Sequence, residues 1–189
     1  MRAAVFVERD GILNCDRVER NQPAPPLSLD QMEPKTDAIE PLRHLKALGF
    51  LLIATTNQPA LSSGELSRRE LDRMHDMLRR IFLLDDLLVC PHDAGDFCPC
   101  RKPKPGLFTE AAFKWHVNLE QSLVLSNKWQ DAEAARNAGC TSLLIDSPWI
   151  GKGHHDIVLG SVGEAVQKIT RLHSMGSRVV AAPGVVNSY

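Results

Sequence analysis

Apolar and polar residues follow two patterns along this 189-residue chain. Short continuous apolar runs, of which Ala3–Val7 is the first, are typical of strands buried on both faces. Between them, apolar residues recur at helical spacing, as Ile39, Leu42, Leu45 and Leu48 do. The predicted strands span residues 3–7, 50–55, 86–89, 121–125, 141–145 and 157–158. The predicted helices span residues 37–48, 65–84, 106–115, 131–138 and 162–172.

Strands that alternate with helices indicate βαβ units joined by right-handed crossovers. The fold class predicted is therefore α/β, a three-layer Rossmann-like fold with a mostly parallel central sheet. We expect one domain over residues 1–173 and a C-terminal tail over residues 174–189. Residues 15–36 contain four prolines and no clear period, which predicts a long, substrate-facing loop at the carboxyl end of the first strand. We expect the scattered Trp and Phe residues to belong to the core.

Composition limits the kinds of partner and compartment. Charged residues make up 24% of the chain and the net charge is −1, so nothing indicates a nucleic-acid or membrane-surface partner. No apolar run is long enough to span a membrane, and the first strand starts too early to leave room for a signal peptide. Five cysteines, three of them within residues 90–100, fit a reducing compartment, so we expect a cytoplasmic protein. The sequence does not indicate an oligomeric state.

A dense group of metal-ligand residues follows the third strand. Cys90, His92, Cys98 and Cys100 place four soft or borderline ligands within eleven residues, which matches a tetrahedral zinc site of the Cys₃His type. Such a site has no open position, so the zinc would be structural and would fold the loop of residues 90–100. The alternative is a short cysteine-rich loop without a metal. Of the other two cysteines, Cys140 is expected in the core.

Charged residues follow two of the predicted elements. Glu8 and Asp10 end the first strand, where two carboxylates could hold a hard cation and perform acid–base chemistry on a phosphate. A charged turn after an edge strand is the alternative. Arg101 and Lys102 come directly after the cysteine-rich loop and suit an anionic phosphate. For them the alternative is a solvated basic loop.

These motifs together resemble the haloacid dehalogenase (HAD) superfamily of phosphatases, in particular the subgroup of heptose bisphosphate and histidinol-phosphate phosphatases. The resemblance runs from residue 2 to about residue 172 and implies a HAD fold without a large cap domain. The zinc loop joined to Arg-Lys-Pro is its most specific part. The residues that carry it are Val5-Phe6-Val7-Glu8-Arg9-Asp10-Gly11, Thr56-Asn57-Gln58, Cys90-x-His92, Cys98-x-Cys100-Arg101-Lys102-Pro103, and Ser126-Asn127-Lys128 with Asp131.

The resemblance implies a role for each matching position. The residue at Glu8 attacks the phosphorus, and Asp10 protonates the leaving oxygen and then activates water. Positions implied to hold the phosphate or select the substrate are Thr56, Asn57, Arg101, Lys102 and Lys128. Positions implied to hold Mg²⁺ are Glu8, Asp10, Asn127 and Asp131.

This chain departs from the family at two acidic positions. Glu8 and Asn127 stand where the family has Asp, and Ile12 and Pro59 replace the usual Thr and Ser. A longer nucleophile and a lost negative charge predict weak or absent Mg²⁺ binding and impaired catalysis. Two hypotheses follow. The chain is a HAD-type phosphatase acting on a small phosphorylated metabolite such as heptose bisphosphate, or a catalytically silent relative that binds a phosphorylated ligand or a partner protein.

Overall fold

A computed structural model describes residues 1–151, 153 and 155–175. Eight strands lie in this part of the chain: β1 (Ala4–Glu8), β2 (Val18–Glu19), β3 (Gln22–Pro23), β4 (Leu51–Asn57), β5 (Asp86–Cys90), β6 (Leu123–Ser126), β7 (Thr141–Ile145) and β8 (Ile157–Leu159). The α-helices of the same part are α1 (Thr36–Ala47), α2 (Arg68–Phe82), α3 (Gly106–Trp115), α4 (Trp129–Ala138) and α5 (Val162–Ser174).

Six strands form one parallel sheet in the order β5-β4-β1-β6-β7-β8, with β1 next to the centre. Side chains of β1 alternate between two apolar clusters. Val5 and Val7 join the cluster that contains residues of α1, α2 and α5, whereas Ala4 and Phe6 join the cluster that contains residues of α3 and α4. Because helices cover each face of the sheet, the sequence of β1 is a continuous apolar run up to Glu8. The predicted three-layer α/β fold without a large cap domain is confirmed.

The element boundaries differ from the predictions by a few residues. Helix α2 begins at Arg68 and not at residue 65, because the hydroxyl of Ser67 caps it by accepting a hydrogen bond from the Glu70 N–H. Helix α4 begins two residues earlier than predicted, at Trp129. Helix α5 extends to Ser174, the first residue of the predicted tail. Residues 176–189 of that tail lie outside the described residues.

The proline-rich loop after β1 is partly ordered by hydrogen bonds. Strands β2 and β3 form a short antiparallel hairpin within residues 15–36, and Leu29–Gln31 form a single 3-10 turn. Cys140 is buried in the core, as expected. Among the described residues, no helix is both long and apolar enough to cross a membrane.

Candidate active site

A cavity of about 570 Å³ opens at the carboxyl edge of the parallel sheet. The chain builds it from the ends of β1 and β4, the β2–β3 segment, the loop before α3 and the start of α4. Its charged lining residues are Glu8, Asp10, Asp16, Asp131, Arg17, Arg101, Lys102 and Lys128. The carboxyl edge is where open parallel sheets bind their ligands.

Lys102 joins two buried carboxylates at the cavity floor. Its Nζ contacts the Glu8 carboxylate directly and lies 2.5 Å from Oδ1 of Asp131. All three residues are buried. Burial alone would raise the pKa of Glu8, but the Lys102 and Lys128 ammonium groups hold it below its usual value. Burial raises the pKa of Asp131 to about 7, an effect that Lys102 opposes and the Glu8 charge reinforces.

The carboxylate of Asp10 is held by Arg9, a residue to which the sequence analysis gave no role. Arg9 donates from Nη2 to Oδ2 at 2.8 Å and from Nε to Oδ1 at 3.0 Å, and it is fully buried. Gln58 Nε2 also donates to Oδ2, at 3.2 Å. Burial opposes ionisation of Asp10, but the Arg9 guanidinium holds its pKa below the usual value. The one available signal was an arginine placed between two acids at a strand end.

Behind Arg9 lies a buried histidine of α2, which sequence analysis also missed. His75 Nε2 is 3.3 Å from Arg9 Nη1. Burial and the Arg9 charge lower the pKa of His75 to about 3, so its ring is neutral at pH 7 and Nε2 accepts from the guanidinium. The chain His75–Arg9–Asp10 thus fixes the direction in which the Asp10 carboxylate points. In the sequence, His75 is only one apolar-face position of an amphipathic helix.

Thr56 and Asn57 end strand β4 with different surroundings. The Thr56 hydroxyl is fully buried and accepts a hydrogen bond from Gln58 Nε2 at 2.9 Å. Asn57 lines the cavity, and its side-chain amide makes two hydrogen bonds to the backbone of Lys102. Nδ2 donates to the Lys102 carbonyl at 3.1 Å, and Oδ1 accepts from the Lys102 N–H at 3.2 Å. Asn57 therefore positions Lys102. The carbonyl of Thr55, which pairs with Glu8 in the sheet, accepts a hydrogen bond from Lys102 Nζ at 3.3 Å.

Two further cations face the same cavity. Lys128 Nζ donates to the Asp10 carbonyl at 2.8 Å and lies 3.9 Å from Oε1 of Glu8. Arg101 donates from Nη1 to the His92 carbonyl at 3.0 Å, so the zinc loop fixes its direction. With Lys102 and Arg17, these residues give the cavity four positive groups. Such a set binds a dianion such as a phosphate monoester.

Asn127 is nearly fully buried at the end of β6, beside the turn that follows β1. Its Nδ2 donates to the Asp16 carboxylate, whereas its Oδ1 accepts a hydrogen bond from no described residue. The amide lies against Gly11, whose φ is +105° and where any Cβ would overlap it. Asn127 Oδ1, the Glu8 carboxylate and the Asp10 carbonyl are oxygen donors at this edge of the sheet; Oδ1 has no partner among the described residues, whereas Glu8 pairs with Lys102 and the Asp10 carbonyl with Lys128. Such a set fits a hard divalent cation such as Mg²⁺.

The predicted zinc ligands are brought together. One ligand atom from each of Cys90, His92, Cys98 and Cys100 lies within 4.8 Å of the others. The S–S distances are 3.6 and 3.7 Å, and the S–N distances from Nδ1 of His92 are 3.3 and 3.7 Å. A tetrahedron with ordinary zinc bonds has S–S edges of about 3.8 Å and S–N edges of about 3.5 Å. The cluster therefore has the size of a Cys₃His zinc site.

The expectation that the tryptophans and phenylalanines belong to the core is wrong for several of them. Trp129 and Trp149 line the cavity, and Trp129 is 43% exposed. Phe97 and Phe113 are almost fully exposed. A tryptophan in a sequence gives no sign of whether it packs in the core or lines a cavity.

Comparison with known proteins identifies relatives of this chain. A family model described as HAD-hydrolase-like matches residues 99–159. The D-glycero-β-D-manno-heptose-1,7-bisphosphate 7-phosphatase of Helicobacter pylori is 33% identical over 153 residues, which covers 77% of this chain and 85% of the relative. The phosphatase of the same name from Pseudomonas aeruginosa is 29% identical over 157 residues, covering 80% and 84%.

Solved structures share the fold. The D,D-heptose 1,7-bisphosphate phosphatase of Bordetella bronchiseptica, crystallised with magnesium and phosphate, superposes with a TM-score of 0.78 at 23% identity, covering 90% of this chain and 99% of that one. A HAD-like phosphatase from Mesorhizobium loti gives a TM-score of 0.74 at 22% identity, covering 90% and 87%. On its sequence relatives, its fold and its site, the chain belongs to the HAD-like hydrolases, in the family of the heptose bisphosphate phosphatases.

Proposed function

We propose that this protein is a HAD-type phosphatase that hydrolyses the phosphate monoester of a small sugar, with Glu8 at the nucleophile position. The observation that carries the proposal is the convergence of Glu8, Asp10, Lys102 and Lys128 on one cavity at the sheet edge. The relatives are named for a heptose bisphosphate, and the cavity of about 570 Å³ has room for a ligand of that size. The tryptophans of the wall offer apolar faces to a sugar ring.

The reaction proceeds in two displacements. A Glu8 carboxylate oxygen bonds to the phosphorus as the bond to the sugar oxygen breaks, and Asp10 gives that oxygen a proton. Water then attacks the phosphoryl-enzyme, Asp10 takes its proton, and phosphate leaves with Glu8 restored. Arg9 keeps the resting Asp10 ionised, so Asp10 takes up its proton as the dianionic phosphate enters and adds negative charge beside it.

The cations bind the phosphate and offset its charge. Lys102 already binds Glu8 and Asp131, and Lys128 binds the Asp10 carbonyl, so both ammonium groups are positioned before the substrate arrives. Arg101 lines the same cavity and selects the part of the substrate beyond the reacting phosphate. Mg²⁺, held by Glu8, the Asp10 carbonyl and Asn127 with Asp131 nearby, would supply further neutralisation of the phosphoryl oxygens.

Zinc on Cys90, His92, Cys98 and Cys100 is proposed as a structural cofactor. The distances among the four ligand atoms support it, and a closed set of four ligands leaves no position for substrate. Thiolates that keep zinc without forming disulfides fit a reducing compartment, which supports a cytoplasmic location.

A second candidate is a silent relative that binds a phosphorylated ligand without turnover. The direct ion pair of Glu8 with Lys102 and the neutral amide of Asn127 favour it, because both weaken attack while the phosphate-binding cations remain. The decisive experiment follows phosphate release from D-glycero-β-D-manno-heptose 1,7-bisphosphate and other sugar phosphates, with Mg²⁺ and with a chelator. Magnesium-dependent release that Glu8→Gln abolishes supports the enzyme. Tight binding of the bisphosphate with no release supports the silent relative.

A further inference from the structure

The interaction between Asn127 and Asp16 links the proline-rich segment after β1 to the end of β6. The Asn127 amide donates from Nδ2 to the Asp16 carboxylate, 111 residues away in the chain. Asp16 is half-buried and lines the same cavity as Glu8 and Asp10. Neither the reaction proposed above nor the motifs in the sequence assign it a role.

The chemistry of this contact fixes which way the amide points. A carboxylate can only accept hydrogen bonds, so the edge of the Asn127 amide that meets Asp16 must be its NH₂ group. The other edge is then the carbonyl, Oδ1. This oxygen is buried and accepts no hydrogen bond from the described residues. A buried carbonyl oxygen without a donor is costly, and a bound cation would satisfy it.

Charge gives a second reason to assign Asp16 to this site. The family places a carboxylate at position 127, and this chain has a neutral amide there. Asp16 returns one negative charge to the immediate neighbour of that amide. Hard cations such as Mg²⁺ bind through oxygen ligands, and their affinity rises with the number of carboxylates around the site.

We infer that Asp16 completes the divalent-cation site of this protein, as the carboxylate that orients Asn127 and replaces the charge missing at that position. Its partner Asn127 presents Oδ1 to the cation, while Asp16 holds the NH₂ edge away. Asp16 acts through Asn127 and is thus a positioning residue that also contributes charge. The inference rests on the proposed function, because it assumes that the cavity binds Mg²⁺ for phosphate chemistry.

The test measures metal binding directly and needs no turnover. Mn²⁺ serves as a paramagnetic probe, its free fraction is measured by electron paramagnetic resonance, and Mg²⁺ is then added as a competitor. Removing a partner of a metal ligand costs about 10- to 100-fold in affinity. We therefore expect Asp16→Asn and Asp16→Ala to weaken Mn²⁺ and Mg²⁺ binding by that factor. Asp30→Asn, an exposed residue of the same segment with the same change in net charge, is the matched control and should change neither affinity.

A second set of variants separates this role from a merely structural one. In an Asn127→Asp background the negative charge at position 127 is restored and a carboxylate faces Asp16. Asp16→Asn should therefore reduce the affinity for Mn²⁺ and Mg²⁺ far less in this background than in the parent chain. Zinc content and melting temperature report whether each variant is folded. Equal Mn²⁺ affinity of the parent and both folded Asp16 variants would overturn the inference and leave the proposed phosphatase intact. A parent chain that binds no Mn²⁺ or Mg²⁺ would overturn the inference together with the magnesium dependence of the proposed function.

Discussion

We expect that aspartates at positions 8 and 127 in place of Glu8 and Asn127 would raise the rate of phosphate release. Glu8 is fixed at its backbone by pairing with Thr55 on β4, so a shorter side chain must withdraw its carboxylate toward β1. The withdrawal is about 1.5 Å, one carbon–carbon bond. It separates the carboxylate from Lys102, which keeps its 2.5 Å contact with Asp131 and becomes free to bind a phosphoryl oxygen.

The size of the effect follows from that distance. A misplacement of about 1 Å costs on the order of 10²-fold in rate, so Glu8→Asp should raise kcat by about 10²-fold, or about 2.7 kcal/mol of barrier. Asn127→Asp adds a full negative charge to the cation site and should lower the Mg²⁺ concentration needed for half-maximal rate. Because both changes serve one displacement step, the double variant should gain more than the product of the single gains.

The assay is phosphate release at saturating heptose bisphosphate, with Mg²⁺ titrated for the parent, both single variants and the double variant. Glu8→Gln is the control, since it keeps the length of Glu8 without a nucleophilic oxygen anion. A parent rate of about 1 s⁻¹ or faster, typical of working enzymes, would refute the reasoning, as would a Glu8→Asp variant slower than the parent. Glu8 would then be a competent nucleophile in its present position.

Three other changes test separate parts of the structure. A chelator should remove about one zinc per chain, counted by elemental analysis, and should lower both the melting temperature and the affinity for phosphate. Protein that is purified without zinc and is still folded would contradict the zinc site. Lys102→Met should destabilise the fold by about 3–5 kcal/mol in urea denaturation, because it leaves the buried Asp131 carboxylate without its ammonium partner and Glu8 with only the more distant Lys128. A loss below about 1 kcal/mol would contradict the buried ion group. His75 has a folded pKa of about 3 against an ordinary value of 6.5, so the unfolded chain binds the extra proton and stability falls as pH drops from about 6.5 toward 3. His75→Gln should flatten that decline in urea denaturation at pH 7 and pH 5, and an unchanged decline would show that His75 does not cause it.

The layers of the fold were predictable because the continuous apolar runs of the strands and the helical spacing of apolar residues are both clear in this sequence. Strand β1 is buried by helices on each side, so its apolar run is unbroken, and α2 carries a regular apolar face that includes Leu71 and Leu78. Boundaries were less predictable, since they depend on single caps such as Ser67. The grouping of Cys90, His92, Cys98 and Cys100 was predictable because all four lie within eleven residues.

The rest of the candidate site depends on contacts between residues distant in the chain, which periodicity does not report. Arg9 lies beside Asp10 in sequence, but its partner His75 is 66 residues away. Asp16 looks like an ordinary loop residue until the fold places it against Asn127. Trp129 and Trp149 resemble core residues in the sequence, and only the fold places them at the cavity.

The cysteine-rich loop of residues 90–100 also limits how this protein can change over evolutionary time. Lys102 lies two residues after Cys100, and the amide of Asn57 holds its backbone on both sides. Gly106 packs so closely on Pro99 and Cys100 that any side chain there would overlap the loop backbone. An insertion or deletion between the metal ligands and α3 would move the lysine out of the cavity, whereas Glu8 and Asn127 can be exchanged in place. A lineage on this scaffold can therefore change residues 8 and 127 one at a time, but it must keep or replace the loop before α3 as a single unit.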